Sequence, residues 1–150
     1  MKGIDMLRYI KSDFLMDFFF GGIMSFEELI NITLPVKKDT YFVVNTGDIK
    51  SPGIHWIVIY VCVSHKKCIY FDPLAYQPRK HNMLILDFLM ANGLPIHSLK
   101  YRLQGGGGKC GEFCIFFIYF TVRGVSLIEF IGYFSRHNLD YNDKIVTLYI

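Results

Sequence analysis

Hydrophobic residues recur with helical spacing at the beginning of the chain. Residues 5–19 place apolar side chains near a 3.6-residue period, which predicts an amphipathic helix. Its predicted buried face consists of Met6, Leu7, Ile10, Phe14 and Phe18. We expect Gly21-Gly22 to end this helix, and the order Ser25-Phe26-Glu27-Glu28 has the capping-box spacing of a short second helix.

The pattern then changes to that of strands. Residues 41–45 are β-branched and aromatic, and residues 54–63 form a long, nearly continuous apolar run. Residues 67–72 follow after the polar Ser64-His65-Lys66, so the last two segments are predicted to form a hairpin. Residues 98–103 are predicted to form a further strand.

Helical patterns return in the second half. Residues 78–92 begin with Pro and stop before Gly93, and residues 110–122 are apolar almost all round, which marks a buried central helix. Ser126 and Glu129 form a second capping box for a helix to about Asn138, and the tail from Asp140 predicts another. Helices at both ends with strands grouped between them indicate an α+β fold.

Length, composition and charge exclude several classes of protein. The chain has 150 residues, enough for one domain spanning 1–150; 52% are hydrophobic and only 19% charged, which excludes intrinsic disorder. The apolar run from Phe113 to Val122 is shorter than the ~20 residues of a spanning helix. The charged residues near the amino terminus are unlike a secretory signal, so we expect a soluble intracellular protein. The net charge of +3 permits nucleic-acid contact without arguing for it.

The four cysteines are Cys62, Cys68, Cys110 and Cys114. Without a secretory signal, a disulfide framework is not expected. Zinc at Cys62, His65 and Cys68 is disfavoured, because no second close pair completes four ligands. We therefore predict no metal site.

Two strand ends offer a base and a carboxylate. His55 begins the long strand directly after a turn, a position where an imidazole can meet substrate, and Trp56 beside it can shield one face from water. Asp72 ends the next strand of the predicted hairpin, where its carboxylate can orient the His55 ring. Each residue alone also has an ordinary structural interpretation, a buried histidine and a turn aspartate.

A glycine run leads into a thiol. Gln104 is followed by four glycines, Lys109 and Cys110, the first residue of the predicted buried helix. A thiol at a helix amino terminus is favoured as thiolate, and free backbone N–H groups there, with Gln104, can bind an oxyanion. A phosphate loop requires a hydroxyl after the lysine, and Lys109 is followed by Cys110 instead. Cys114 is predicted to pack in the core.

Together these residues predict nucleophilic catalysis by Cys110, with His55 as base, Asp72 as orienter and Gln104 as oxyanion donor. The candidate substrate-binding residues are Trp56, Gly53, Gly108 and Gly111. The glycines are included because they let a ligand approach the backbone closely.

The order His, Asp, Cys, with Gln shortly before the Cys, resembles the adenovirus-type cysteine endopeptidases (adenain) and the related SUMO- and ubiquitin-like-protein proteases. Asp72 stands where adenoviral enzymes have Glu, the chain is shorter after the nucleophile helix, and no Cys lies between Leu94 and Leu103, where the family carries the thiol that links to its activating peptide. The segments that carry the resemblance are Phe19-Phe20-Gly21-Gly22, Val43-Val44-Asn45-Thr46-Gly47, Gly53-Ile54-His55-Trp56, Tyr70-Phe71-Asp72-Pro73, Gln104-Gly105, Cys110-Gly111-Glu112-Phe113-Cys114 and Phe134-Ser135-Arg136-His137.

The resemblance implies a papain-like, adenain-like fold with a central, mostly antiparallel sheet and a buried nucleophile helix. It implies cleavage after Gly-Gly or Gly-x-Gly sequences in viral capsid or core precursors, in the virion and in the nucleus or cytoplasm of the host cell. The residues themselves require no cofactor; DNA or an activating peptide enters only by analogy with the family. Three alternatives remain open: a deconjugating protease of ubiquitin-like modifiers, an acetyltransferase using acetyl-CoA, and a catalytically inactive binding module.

Overall fold

Five strands form one mixed sheet in spatial order β1-β2-β3-β4-β5 in the computed structural model, which describes residues 1–47, 55–106 and 108–150. The three central strands pair antiparallel, whereas each edge strand pairs parallel with its neighbour. The α+β prediction is confirmed, and the sheet is mixed rather than mostly antiparallel. The strands are β1 Phe20–Ser25, β2 Thr40–Asn45, β3 Trp56–Cys62, β4 Lys67–Phe71 and β5 Ile96–Ser98.

Helices cover both faces of this sheet. Short 3₁₀ helices at Phe26–Asn31 and Val63–His65 complete the regular structure of the described residues. The α-helices are α1 Gly3–Ser12, α2 Phe14–Phe18, α3 Pro78–His81, α4 Met83–Ala91, α5 Cys110–Thr121, α6 Leu127–Ile131 and α7 Leu139–Tyr149. None of the helices in the described part of the chain is long and apolar enough to cross a membrane.

The continuous apolar run of β3 is explained by burial on both faces. Trp56, Val58 and Tyr60 pack in one core with α1 and α5, and the intervening Ile57 and Ile59 pack in another with the first 3₁₀ helix and α4. Successive strand residues point to opposite faces, so only a strand buried on both sides is apolar throughout. The strand therefore lies in the middle of the molecule.

Helix α5 is the centre of the larger core, as its sequence predicts. It contributes a run of buried side chains and packs against β3. The Phe117 ring stacks on Phe71 of β4 with centroids 4.2 Å apart, and Phe130 of α6 meets both rings edge-on. These aromatic contacts fix the helix relative to the strand end that precedes Asp72.

The first predicted helix is in fact two helices. Asp13 is extended, and its side chain accepts a hydrogen bond of 2.9 Å from the Met16 N–H, capping α2. The break leaves Met6 and Ile10 buried but turns Phe14 and Phe18 outward, where they are 81% and 69% exposed. The predicted buried face is therefore wrong for its last two members.

Gly21-Gly22 forms part of a strand rather than a helix stop. The β1–β2 register shifts between Phe20 and Gly22, and a Cβ at Gly21 would lie 2.5 Å from the Phe42 ring. Glycine thus permits close packing of an edge strand that periodicity did not reveal.

Other boundaries also differ from the predictions. The helix predicted over 78–92 breaks at Asn82, whose side chain accepts from the Leu84 N–H and caps α4. The strand predicted at 98–103 is wrong beyond Ser98, since the Leu103 and Gln104 N–H groups both donate to the Pro73 carbonyl. The helix predicted to reach Asn138 ends at Ile131, although its capping box is present.

Candidate active site

The β3–β4 hairpin brings His55 and Asp72 together. Val58 pairs with Phe71, so the residue before β3 and the residue after β4 lie at the same end of the sheet. His55 Nε2 lies 2.7 Å from Asp72 Oδ1, and both side chains are buried. The sequence prediction that these two residues meet is therefore seen in the geometry.

Asp72 is an ionised carboxylate in the interior. Burial would raise its pKa, but hydrogen bonds from His55, from His81 and from the Leu74 N–H hold that pKa below its usual value. Oδ1 faces His55 and the Leu74 N–H at 2.8 Å, and Oδ2 faces His81 Nε2 at 2.6 Å. Since the residue is only 1% exposed, these donors take the place of water.

Cys110 begins α5 and faces the same histidine. Burial would raise the pKa of its thiol, yet hydrogen bonds from His55 and from the backbone N–H groups of Trp56 and Gly111 lower it. The position at a helix amino terminus favours the thiolate in the same direction. The sulfur is thus prepared to carry negative charge.

His55 carries the opposite charge. Burial would lower its pKa, but its hydrogen bonds and charge interactions with Asp72 and Cys110 raise it to about 9. These interactions favour a Cys110 thiolate facing a His55 imidazolium, with Asp72 at the Nε2 atom of the ring. This arrangement can deliver a nucleophile and then a proton.

Two sulfur atoms of α5 contact the backbone of Trp56, the first residue of β3. The Trp56 N–H reaches the Cys110 sulfur, and the Cys114 thiol lies 3.4 Å from the Trp56 carbonyl oxygen. Residues four apart share one helix face, so the two contacts fix α5 across the start of the strand. Cys114 is fully buried, and burial raises its pKa well above the usual value, in agreement with the predicted packing role.

The segment carrying Gln104 is anchored on three sides. Its N–H donates to the Pro73 carbonyl at 3.1 Å, directly after Asp72, and Arg102 donates to its carbonyl at 2.9 Å. The next N–H, of Gly105, donates to Asp143 of α7 at 2.8 Å. Gln104 is 4% exposed, and no donor among the described residues reaches its Oε1.

Two residues of helix α7 hold the backbone next to Gln104 in place. Asn142, which is completely buried, donates to the Leu103 carbonyl at 3.0 Å and the Ser135 carbonyl at 2.7 Å, and accepts from the Ser135 N–H at 2.7 Å. A Cβ on Gly105 would lie 2.6 Å from Asp143 Oδ2, so only glycine allows the carboxylate to come this close. No local sequence pattern predicts these contacts.

The predicted substrate-binding residues occupy different surroundings. The Trp56 indole is buried and donates to the Met1 carbonyl at 3.1 Å, and the Gly111 N–H faces the Cys110 sulfur. Gly108 is exposed with φ +65°, a conformation that favours glycine. Gly53 lies outside the described residues. Substrate contact by all four stays a prediction.

His81 is the member of the centre that the sequence did not reveal. It lies in the segment predicted as one continuous helix, and the helix break at Asn82 is the only local signal. Its ring centroid is 5.4 Å from that of His55 and 5.7 Å from that of Tyr76.

Two groups of side chains combine residue types that can ligate a metal. Among the described residues, His55, Asp72 and His81 are the group whose ligand atoms lie within 4.8 Å of one another, but hydrogen bonds already account for this arrangement. In the hairpin, Cys62 lies 3.4 Å from His65 Nδ1, whereas Cys68 packs in the other core, so these three do not converge. All four cysteines lie among the described residues, and none forms a disulfide.

Part of the chain is similar in sequence to adenovirus proteases. The family model described as adenovirus endoprotease matches residues 24–89, a range that includes His55 and Asp72. The protease of Ovine adenovirus D serotype 7 (isolate OAV287) is 30% identical over 89 residues, which cover 51% of this chain and 44% of the relative. The chain is similar to the adenovirus-type cysteine endopeptidases. It spans less than half the length of this curated relative.

Solved structures share the fold over more of the chain. The ASFV pS273R protease has a TM-score of 0.57 at 17% identity, covering 93% of this chain and 64% of that one. The Chlamydia trachomatis effector protein Cdu1 bound to ubiquitin has a TM-score of 0.50 at 11% identity, covering 83% and 72%. At these identities the likeness shows the shared fold, and the predicted adenain-like fold is confirmed.

Proposed function

We propose that this protein is a cysteine endopeptidase in which Cys110 is the nucleophile and His55 the general acid and base. The observation that carries the proposal is geometric: the buried His55 ring is hydrogen-bonded to the Cys110 sulfur and lies 2.7 Å from the Asp72 carboxylate. Three side chains from separate elements thus meet in the chemical order that acyl transfer requires.

The reaction follows from the charges. The Cys110 thiolate attacks the scissile carbonyl carbon, forming a C–S bond and an oxyanion that accepts hydrogen bonds from the Cys110 N–H and the Gln104 amide. His55 gives its proton to the leaving amine as the C–N bond breaks. A water molecule then loses its proton to His55 and attacks the thioester, releasing the acid and restoring the thiolate and imidazolium.

Asp72 keeps the imidazole in one orientation throughout. Its Oδ1 accepts from His55 Nε2, so the other ring nitrogen is the one available to sulfur and substrate. Because the carboxylate is buried and ionised, it also stabilises the imidazolium formed each time His55 takes a proton.

The proposed substrates are viral capsid or core precursor proteins, cut after Gly-Gly or Gly-x-Gly sequences. The similarity to the ovine adenovirus protease supports a viral protease, and the substrates are proposed by analogy with the adenovirus-type family. Activity would then occur in the virion and in the nucleus or cytoplasm of the infected cell. DNA or an activating peptide would enter, by analogy with the family, as an activator.

Deconjugation of ubiquitin-like modifiers is the second candidate, favoured by one observation. A protein of the same fold, Cdu1, has been solved bound to ubiquitin. Both candidates use the same centre and differ only in the surface that selects the substrate. Acetyl transfer and a purely binding role would instead leave a peptide substrate uncut.

The test is incubation of the purified chain with a peptide library, with and without DNA, followed by mapping of the cut bonds. We expect cleavage after small-residue sequences, lost in Cys110→Ala and retained in the matched thiol control Cys114→Ala. A ubiquitin-vinyl-sulfone probe and an acetyl-CoA assay run beside it separate the alternatives. No cleavage under any condition, together with an unreactive Cys110, would overturn the endopeptidase proposal.

A further inference from the structure

A second histidine holds the carboxylate of the proposed centre. His81 Nε2 lies 2.6 Å from Asp72 Oδ2, and its side chain is only 11% exposed. The opposite oxygen of the same carboxylate lies 2.7 Å from His55 Nε2. Asp72 therefore bridges two imidazoles, of which the proposed mechanism uses one.

A turn after β4 and the short helix α3 bring the chain back to Asp72. Ala75 adopts φ +58° and its N–H donates to the Asp72 carbonyl, which turns the chain after β4. Helix α3 then begins at the buried Pro78 and ends at His81, where Asn82 becomes extended and caps α4. The helix break at Asn82 thus places the His81 imidazole at Oδ2 of the buried Asp72 carboxylate.

We propose that His81 is a positioning residue: its Nε2–H holds Asp72 Oδ2, so that Oδ1 stays directed at His55 and the carboxylate stays ionised inside the protein. The inference rests on the proposed function. An imidazole donates from Nε2 in its charged form and in one neutral tautomer, so the bond does not require a charged His81. A charge-assisted bond to a buried carboxylate is among the stronger hydrogen bonds in proteins.

Removing the donor has a defined electrostatic consequence. The titratable groups around Asp72 are His55 before β3, Tyr70 on β4, His81 on α3, and Cys110 and Cys114 on α5. The hydrogen bonds from the two histidines lower the pKa of Asp72. Without His81 the carboxylate takes up a proton at higher pH, and the imidazolium loses its partner as pH falls.

Two variants separate the hydrogen bond from the packing. His81→Phe keeps a ring against His55 and Tyr76 but removes the donor, and His81→Gln restores an N–H donor without a ring. His137→Phe, on an exposed loop residue, is the matched control. The readouts are the alkylation rate of Cys110 by iodoacetamide from pH 4 to 10, resolved by peptide mass spectrometry, and the melting temperature.

We expect His81→Phe to lower Cys110 alkylation at pH 6 about tenfold, the effect of losing one hydrogen bond to a charged group, and to move the acid limb to higher pH. His81→Gln should recover most of the rate, and His137→Phe should match the wild type. An unchanged profile in folded His81→Phe, or inactivation of the wild type by EDTA, would overturn the inference while leaving the proposed function intact. Unfolding of both variants would overturn it too, by making His81 a structural anchor, and an unreactive wild-type Cys110 would overturn both.

Discussion

Asp72→Asn isolates the charge of the buried carboxylate from its shape. The amide oxygen can still accept from His55 and the Leu74 N–H, and the amide nitrogen can donate to the other neutral tautomer of His81. Every hydrogen bond of the wild-type side chain thus has a counterpart in the variant. What disappears is the negative charge that faces the His55 imidazolium.

The size of the effect follows from the pKa of His55. Its rise from 6.5 to about 9 corresponds to about 3 kcal/mol in favour of the charged ring. Asp72 and Cys110 share this stabilisation against the cost of burial. If Asp72 supplies about half, its loss costs about 1.5 kcal/mol, which lowers the pKa of His55 by about one unit and the equilibrium constant for the charged ring about tenfold.

The measurement is the rate of Cys110 alkylation by iodoacetamide as a function of pH. Because the pKa of His55 is raised, the imidazolium and its stabilising effect are fully present below pH 6.5 and are lost as pH rises through about 9. In Asp72→Asn the pH at which the His55 imidazolium loses its proton moves down from about 9 toward 6.5. We therefore expect the pKa of His55, taken from the pH dependence of alkylation, to fall by about one unit, while the rate at pH 10, where the free thiolate reacts, changes little.

Asp87→Asn on the exposed face of α4 is the matched control and should behave as the wild type. A variant that folds normally yet keeps the wild-type alkylation profile would refute the reasoning, since the ion pair would then not depend on the carboxylate. A uniform loss of rate at every pH would refute it as well, because it would indicate altered access to Cys110 rather than altered charge.

Three further substitutions test other parts of the centre. Gln104→Leu should lower turnover on a cleaved peptide about a hundredfold without changing the melting temperature, and a smaller drop would remove this amide from the oxyanion site. Cys114→Ala should leave Cys110 alkylation unchanged and reduce the free energy of unfolding by about 1 kcal/mol in urea titration; a loss of alkylation would contradict its packing role. Asn142→Ala leaves the Leu103 carbonyl and both Ser135 backbone groups unpartnered, so we expect a loss of about 3 kcal/mol in the same titration, and a neutral result would mean that water replaces the amide.

The hydrophobic pattern of a single segment was sufficient to predict the elements that are buried on every side. The apolar run of β3 and the all-round apolar α5 were both predicted, because each is enclosed on every side. The hairpin register followed from the short polar turn, and it brought His55 and Asp72 to one end of the sheet. Cys110 was found because its place at a helix start combines glycine flexibility with the helix dipole.

Elements that depend on distant partners were missed. Strand β1 pairs parallel with β2 through a bulge at adjacent glycines, and such pairing leaves little local signal. Asp13 and Asn82 each break a segment whose apolar spacing looks continuous, because a side-chain cap replaces a backbone hydrogen bond. His81 was missed for the same reason: the break that places it at Asp72 was not recognised.

The centre has two halves that are stabilised by different parts of the chain. His55, Asp72 and His81 are held by the hairpin and the short detour after it, so their geometry depends on contacts close in sequence. Gln104 is held by α7, through Asp143 on the Gly105 N–H and Asn142 on the Leu103 carbonyl. Helix α5 begins with Cys110 and follows both halves in sequence. The nucleophile needs both: the hairpin sets its charge, and the α7 contacts set where an oxyanion would be bound. A defect in α7 should therefore lower turnover while leaving thiol alkylation intact, and a defect at Asp72 should lower both.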